Sequence, residues 1–132
     1  MIKSNRSQSS VEFIIIAGAL LFFFVIFFYL IQQDIGKRTS EKRNLEVKEI
    51  AISVQDEIYL ASSSSNGYNR EFKIPEKISG DDYFINITEN TVFIKTLDNK
   101  SAIAIPIISI QGNILKGSNK IRKLNDTIFL NL

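Results

Sequence analysis

The sequence predicts an α+β protein: a long N-terminal α-helix, apolar in its first half and amphipathic in its second, with a small C-terminal antiparallel β-sheet head packed on the amphipathic stem. Three observations predict it. Residues 13–31 form an uncharged apolar run, FIIIAGALLFFFVIFFYLI. Val47, Ile50, Ala51, Val54, Ile58 and Ala61 then recur at steps of three and four, which lines one helix face. From Glu71 onward the apolar period shortens to two, the signature of strands.

The apolar run comes first. Nineteen residues at 1.5 Å each make a helix of roughly 28 Å, about the thickness of a bilayer's hydrocarbon core. Lys3 and Arg6 precede it, so the positive-inside bias places the N-terminus in the cytoplasm and the remainder outside. A cleavable secretory signal has an apolar region of about 7–15 residues ending at a small-residue site. Here the run is longer and leads into Tyr29, Leu30, Ile31, Gln32 and Gln33, so it is expected to stay with the protein. Glu12 sits against its cytoplasmic end, where a lone acid is unfavourable unless paired or able to reach the interface. Two readings of Glu12 stand side by side. It can simply favour the positive end of the helix dipole. Alternatively, if the chain is cut before Gln8, it can pair with the new α-amino group one turn away, in its own chain or a neighbour's.

The stretch from Arg6 through Ser7, Gln8, Ser9, Ser10, Val11, Glu12 and Phe13, followed by the apolar run, resembles the class III signal peptide of archaeal type IV pilin-like proteins. The resemblance covers about the first 30 residues. It implies that a prepilin peptidase removes residues 1–7, between Ser7 and Gln8, with serine standing where the family usually has glycine. It further implies that Gln8 becomes the first mature residue, and that Glu12 and Phe13 open the segment through which subunits assemble. Residues 8–31 would then cross the membrane first and later pack as the core of a helical filament of identical copies at the cell surface. Adhesion, motility and DNA uptake all use this design.

Residues 32–61 are expected to continue as the stem, with Glu41, Lys42, Arg43, Glu46, Lys48, Glu49, Asp56 and Glu57 on its other faces and Gly36 as a weak point or bend. Residues 62–70, with four consecutive serines before Asn66 and Gly67, read as a linker. The head, residues 71–132, is expected to hold five to seven strands. A hairpin turn is predicted at Glu89-Asn90, with further turns at Asp98-Asn99, at Gln111-Gly112-Asn113 and at Asn125-Asp126. Pro106 cannot donate to a ladder, so its strand is expected to be an edge or to break there. Sixty-odd residues without cysteine make a marginal core alone, so the stem stripe is expected to supply the missing apolar face.

Composition bounds the chemistry. The chain has neither His nor Cys, which removes the commonest neutral-pH base, the commonest zinc ligand and a thiol nucleophile. Its carboxylates are scattered, and the adjacent pairs Asp56-Glu57 and Asp81-Asp82 lack a second cluster, so no enzyme, metal or cofactor is expected. Beyond residue 31 there are 14 basic and 13 acidic residues, a balance without a nucleic-acid footprint. Lys120, Arg122 and Lys123 read as a solvated strand end. Three N-x-S/T sequons begin at Asn86, Asn99 and Asn125. The last two lie at predicted turns and are the expected glycosylation sites on an extracellular head. A different class of function stays open beside the filament: a single-pass anchor, either a minor pilin or a β binding module, that never forms the filament body.

Overall fold

The computed structural model describes residues 5–132, with side chains from residue 8 onward. The expected leader therefore lies mostly outside the described residues, and so does the side chain of Ser7. One helix, α1 (Asn5–Ser63), runs through both compact units of the chain, Met1–Ser40 and Glu41–Leu132.

Within the N-terminal unit the helix passes through Gly36 unbroken. An interior glycine costs about 1 kcal/mol against alanine. An exposed Asp34–Arg38 pair at 2.9 Å spans the turn that contains Gly36, and the Thr39 hydroxyl donates to the Ile35 carbonyl at 2.9 Å. The helix is not interrupted at Gly36, so no locally melted turn separates its two halves there.

In the second unit the stem half of α1 is followed by seven strands: β1 (Asn69–Ile74), β2 (Tyr83–Thr88), β3 (Thr91–Thr96), β4 (Ala102–Pro106), β5 (Gln111–Gly112), β6 (Gly117–Leu124) and β7 (Thr127–Leu130). They form two sheets, one in the order β1-β6-β7-β5 and one in the order β2-β3-β4. The stem stripe is buried in full: Val47, Ile50, Ala51, Val54, Ile58 and Ala61 share one core with Phe72, Ile74, Tyr83, Val92, Ile94, Ile121, Ile128 and Leu130. That is the packing the period of the stripe requires, since neither a helix stripe nor a small sheet covers its own apolar face.

Several boundaries and turns differ from expectation. The helix continues to Ser63, and β1 starts at Asn69, so the linker is shorter than 62–70. The Ser63 hydroxyl donates to the carbonyls of Tyr59 and Leu60, and the Ser64 hydroxyl to that of Leu60. Lys123 Nζ donates to the carbonyls of Ser62 at 2.7 Å and Ser64 at 2.9 Å. A cation on the last carbonyls of a helix satisfies orphan acceptors and opposes the dipole's negative end. Lys123 is thus a helix cap with a side chain only 12 % exposed, not a solvated strand end.

Hairpins close at Glu89-Asn90 and at Asn125-Asp126. In the second, Asn125 and Asp126 both take left-handed φ, +47° and +60°, the pattern of a type I′ turn. Gln111-Gly112 is not a turn. It pairs in parallel with Phe129 and Leu130, the one parallel pair in otherwise antiparallel sheets. Gly112 makes this possible: at φ +104°, a Cβ there would lie 1.9 Å from the Leu130 carbonyl oxygen. Pro106 ends β4 at a sheet edge, as predicted, and Ile107 then donates its N–H to the Asn90 carbonyl at 2.7 Å.

Tyr83 is buried to 1 % exposure, donates its hydroxyl to the Pro75 carbonyl, and carries Lys116 Nζ 5.1 Å above its ring. Burial first, then the nearby Asp82 charge, push its pKa from 10.0 up to about 12. The unfolded chain releases this proton from about pH 10 and the folded one only near pH 12. Its contribution is complete below pH 10 and falls as pH rises across that window. Urea midpoints of the wild type are therefore expected to drop more steeply between pH 9.5 and 11.5 than those of Tyr83→Phe. Equal slopes would refute the assignment.

Candidate functional site

The feature set apart from the folded core is the apolar half of α1. From Phe13 to Ile31 every side chain is exposed except Ala17, which is half-exposed. Phe13 is 72 % exposed and Phe23 67 %. Consecutive helical residues are 100° apart, so a run of this length is apolar right round its circumference. Such a helix belongs in hydrocarbon or among other helices, because water solvates no face of it well. By length and composition it is able to cross a bilayer.

Its ends are marked by polar groups. Gln8 and Glu12 are exposed and one turn apart, and Phe13 directly follows. At the other end Tyr29 accepts a hydrogen bond from Gln33 Nε2 at 2.9 Å, a place where an amphipathic aromatic suits a membrane interface. Between them Phe22–Phe23 and Phe27–Phe28 stand edge to face at 6.3 and 6.5 Å. Leu20, Phe23, Phe24, Ile26, Phe27 and Leu30 line an open apolar groove of about 420 Å³. Transferring a phenylalanine side chain from water to an apolar partner is worth about 2 kcal/mol, so the five rings between residues 22 and 28 represent about 10 kcal/mol.

In the head Asp81, Asp82 and Asp98 are committed to structure. Arg43 donates from Nη2 to Asp81 at 2.8 Å and from Nη1 to Asp98 at 2.5 Å, tying the connections after β1 and after β3 to the stem. Glu46 accepts from the backbone N–H and hydroxyl of Ser79, and the Ser101 hydroxyl donates to Asn44 Oδ1. The Thr96 hydroxyl and the Lys100 N–H hold Asp98 below the usual carboxylate range, and the Lys116 ammonium does the same for Asp82. Carboxylates stabilised as anions are poor general acids at neutral pH. Among the described residues no three His, Cys, Asp or Glu side chains are grouped to hold a metal ion.

The sequons differ in their surroundings. Asn125 is exposed at the tip of the β6–β7 hairpin. Asn99 is exposed at φ +59°, but the hydroxyl of its sequon serine, Ser101, is buried against Asn44. Asn86 is half-buried in β2 and donates from Nδ2 to Thr88 Oγ1 at 3.2 Å.

Two polar groups with structural roles escaped the sequence reading. Asn119, 2 % exposed, accepts from Leu115 N–H and Asn131 Nδ2 and donates to the carbonyls of Leu115 and Gly117. Asn131 also accepts from the Lys120 N–H and donates to the Asn113 carbonyl. Only an asparagine following a glycine and a serine was visible beforehand, which signals a turn and not a buried amide. Comparison with protein-family models, with curated proteins and with solved structures finds no match for the chain.

Proposed function

We propose that the protein is a structural subunit of an archaeal type IV pilus-like surface filament, cut before Gln8 and assembled through residues 8–31. The observation that carries this reading is the apolar run exposed on every face, bordered by Glu12 and preceded one turn earlier by Gln8. A prepilin peptidase would release the Gln8 amine. That amine and the Glu12 carboxylate would pair between neighbours as the helices leave the bilayer and bundle. Before assembly the chain would be a single-pass membrane protein with a cytoplasmic N-terminus. Afterwards its heads would form the filament surface.

A second reading is a membrane-anchored minor pilin or β binding module. The cleft of about 450 Å³ between the stem and the segment after β1, with Glu46, Glu49, Ile50, Ile74, Pro75 and Lys77 among its walls, favours it.

N-terminal sequencing and intact mass of the native protein test the first reading. The expected start is Gln8, with added glycan mass at Asn99 or Asn125. Glu12→Ala is expected to leave membrane insertion intact and to reduce filaments at least tenfold by electron microscopy. A start at Met1 together with unaffected Glu12→Ala assemblies would sink the reading, and a membrane-bound chain found in no filament would favour the anchor.

A further inference from the structure

The chain has eleven asparagines, and only Asn66 is followed by glycine. An asparagine before glycine is the dipeptide most prone to spontaneous deamidation, because no side chain hinders attack by the following backbone nitrogen. Here both reacting groups are pinned. Gly67 N–H donates to the Lys123 carbonyl at 2.9 Å, and Asn66 Oδ1 accepts from the Asp126 N–H at 2.9 Å. Lys123 N–H donates to the Tyr68 carbonyl at 2.9 Å, while Lys123 Nζ holds the helix end. The tip of the β6–β7 hairpin therefore clamps the segment between α1 and β1. Gly67 sits at φ +92° with nothing within 4 Å of where a Cβ would be.

We propose that Asn66 is a self-modification site, kept closed by the docked hairpin and opened when that hairpin lifts. Once freed, the Gly67 nitrogen loses its proton and attacks Asn66 Cγ. The new C–N bond closes a succinimide while Cγ–Nδ2 breaks, and Nδ2 leaves as ammonia with the proton. Water then opens the ring at either carbonyl, giving aspartate or isoaspartate at position 66. Isoaspartate carries the backbone through one extra methylene, so the segment no longer fits between helix end and strand, and the opening becomes irreversible. The chemistry needs only water and is independent of the filament reading.

The test uses the full chain in detergent micelles at pH 8, aged with and without urea, with peptide mapping of aspartate and isoaspartate. In urea, Asn66 is expected to deamidate faster than any other asparagine, and in the native state at least tenfold slower. Lys123→Met is expected to raise the native rate several-fold and leave the urea rate unchanged. Asp126→Asn keeps the N–H donor at a φ asparagine accepts and adds no second Asn-Gly pair, so its native rate at Asn66 is expected to stay slow even if Lys123→Met misfolds. Equal rates at Asn66 with and without urea would overturn the proposal, as would faster reaction elsewhere in the wild type or loss of protection in Asp126→Asn.

Discussion

Replacing Ile58 with aspartate is expected to unfold the head. Ile58 is fully buried and lies in the stripe through which the stem joins both sheets. Losing its apolar transfer removes about 2–3 kcal/mol. Placing a carboxylate there without a partner costs several kcal/mol more. A unit the size of Glu41–Leu132 has a total stability of about 5–14 kcal/mol, so the two losses together consume most or all of it. Urea denaturation of the full chain in detergent, followed by circular dichroism of the β signal, checks this. Ile58→Val should lower stability by only about 1 kcal/mol. An unchanged midpoint in Ile58→Asp would mean that the stem is not part of the core.

Asn119→Asp is expected to be the most damaging polar change, at about 3 kcal/mol or more, and worse than Asn119→Ala. The amide Nδ2 donates to two carbonyls, at 2.7 and 3.1 Å, and an ionised carboxylate would turn a lone pair toward each. Alanine leaves those carbonyls unpaired without adding charge. The aspartate's folded pKa would be raised, since only the protonated acid can donate. Its deficit therefore shrinks as pH falls and grows as pH rises through that pKa. Urea midpoints of both variants at pH 4 and pH 7 read the difference. A wild-type midpoint for Asn119→Asp at pH 7 would refute the network's importance.

The parts legible in the sequence are those written in short-range patterns. Val47 through Ala61 declared a helix face by their 3.6 period, and the same residues prove to be buried. Glu89-Asn90 declared a hairpin, and Asn125-Asp126 a turn, as polar pairs between alternating runs; the left-handed φ of the second falls on residue types that accept it, whereas in the first it falls on Glu89. The apolar run declared itself by length. What stayed hidden depends on partners far along the chain. Lys123 looked like a surface charge because the carbonyls it caps lie about 60 positions earlier. Gln111-Gly112 looked like a turn because its partner, Phe129-Leu130, follows nearly twenty residues later and takes it in parallel. The division into two sheets was equally invisible, since alternation shows which face is buried and not which strand lies beside it. At the candidate site, the order Gln8, Glu12, apolar run could be read directly. The partner of that run is not encoded in the run itself, and none of the described residues covers it.

Arg43 has a further consequence once the head is considered as a mechanical object. It sits three residues into the second unit, and one guanidinium grips the connections after β1 and after β3 together. Asn44 and Glu46 add bonds to Ser101 and Ser79 within the same turn of helix. A pull entering the stem from its N-terminal end meets these polar links before it reaches the apolar core. The core behind them is then sheltered from strain until the grip gives way. Under traction, the first few residues of the stem set the force at which the head yields.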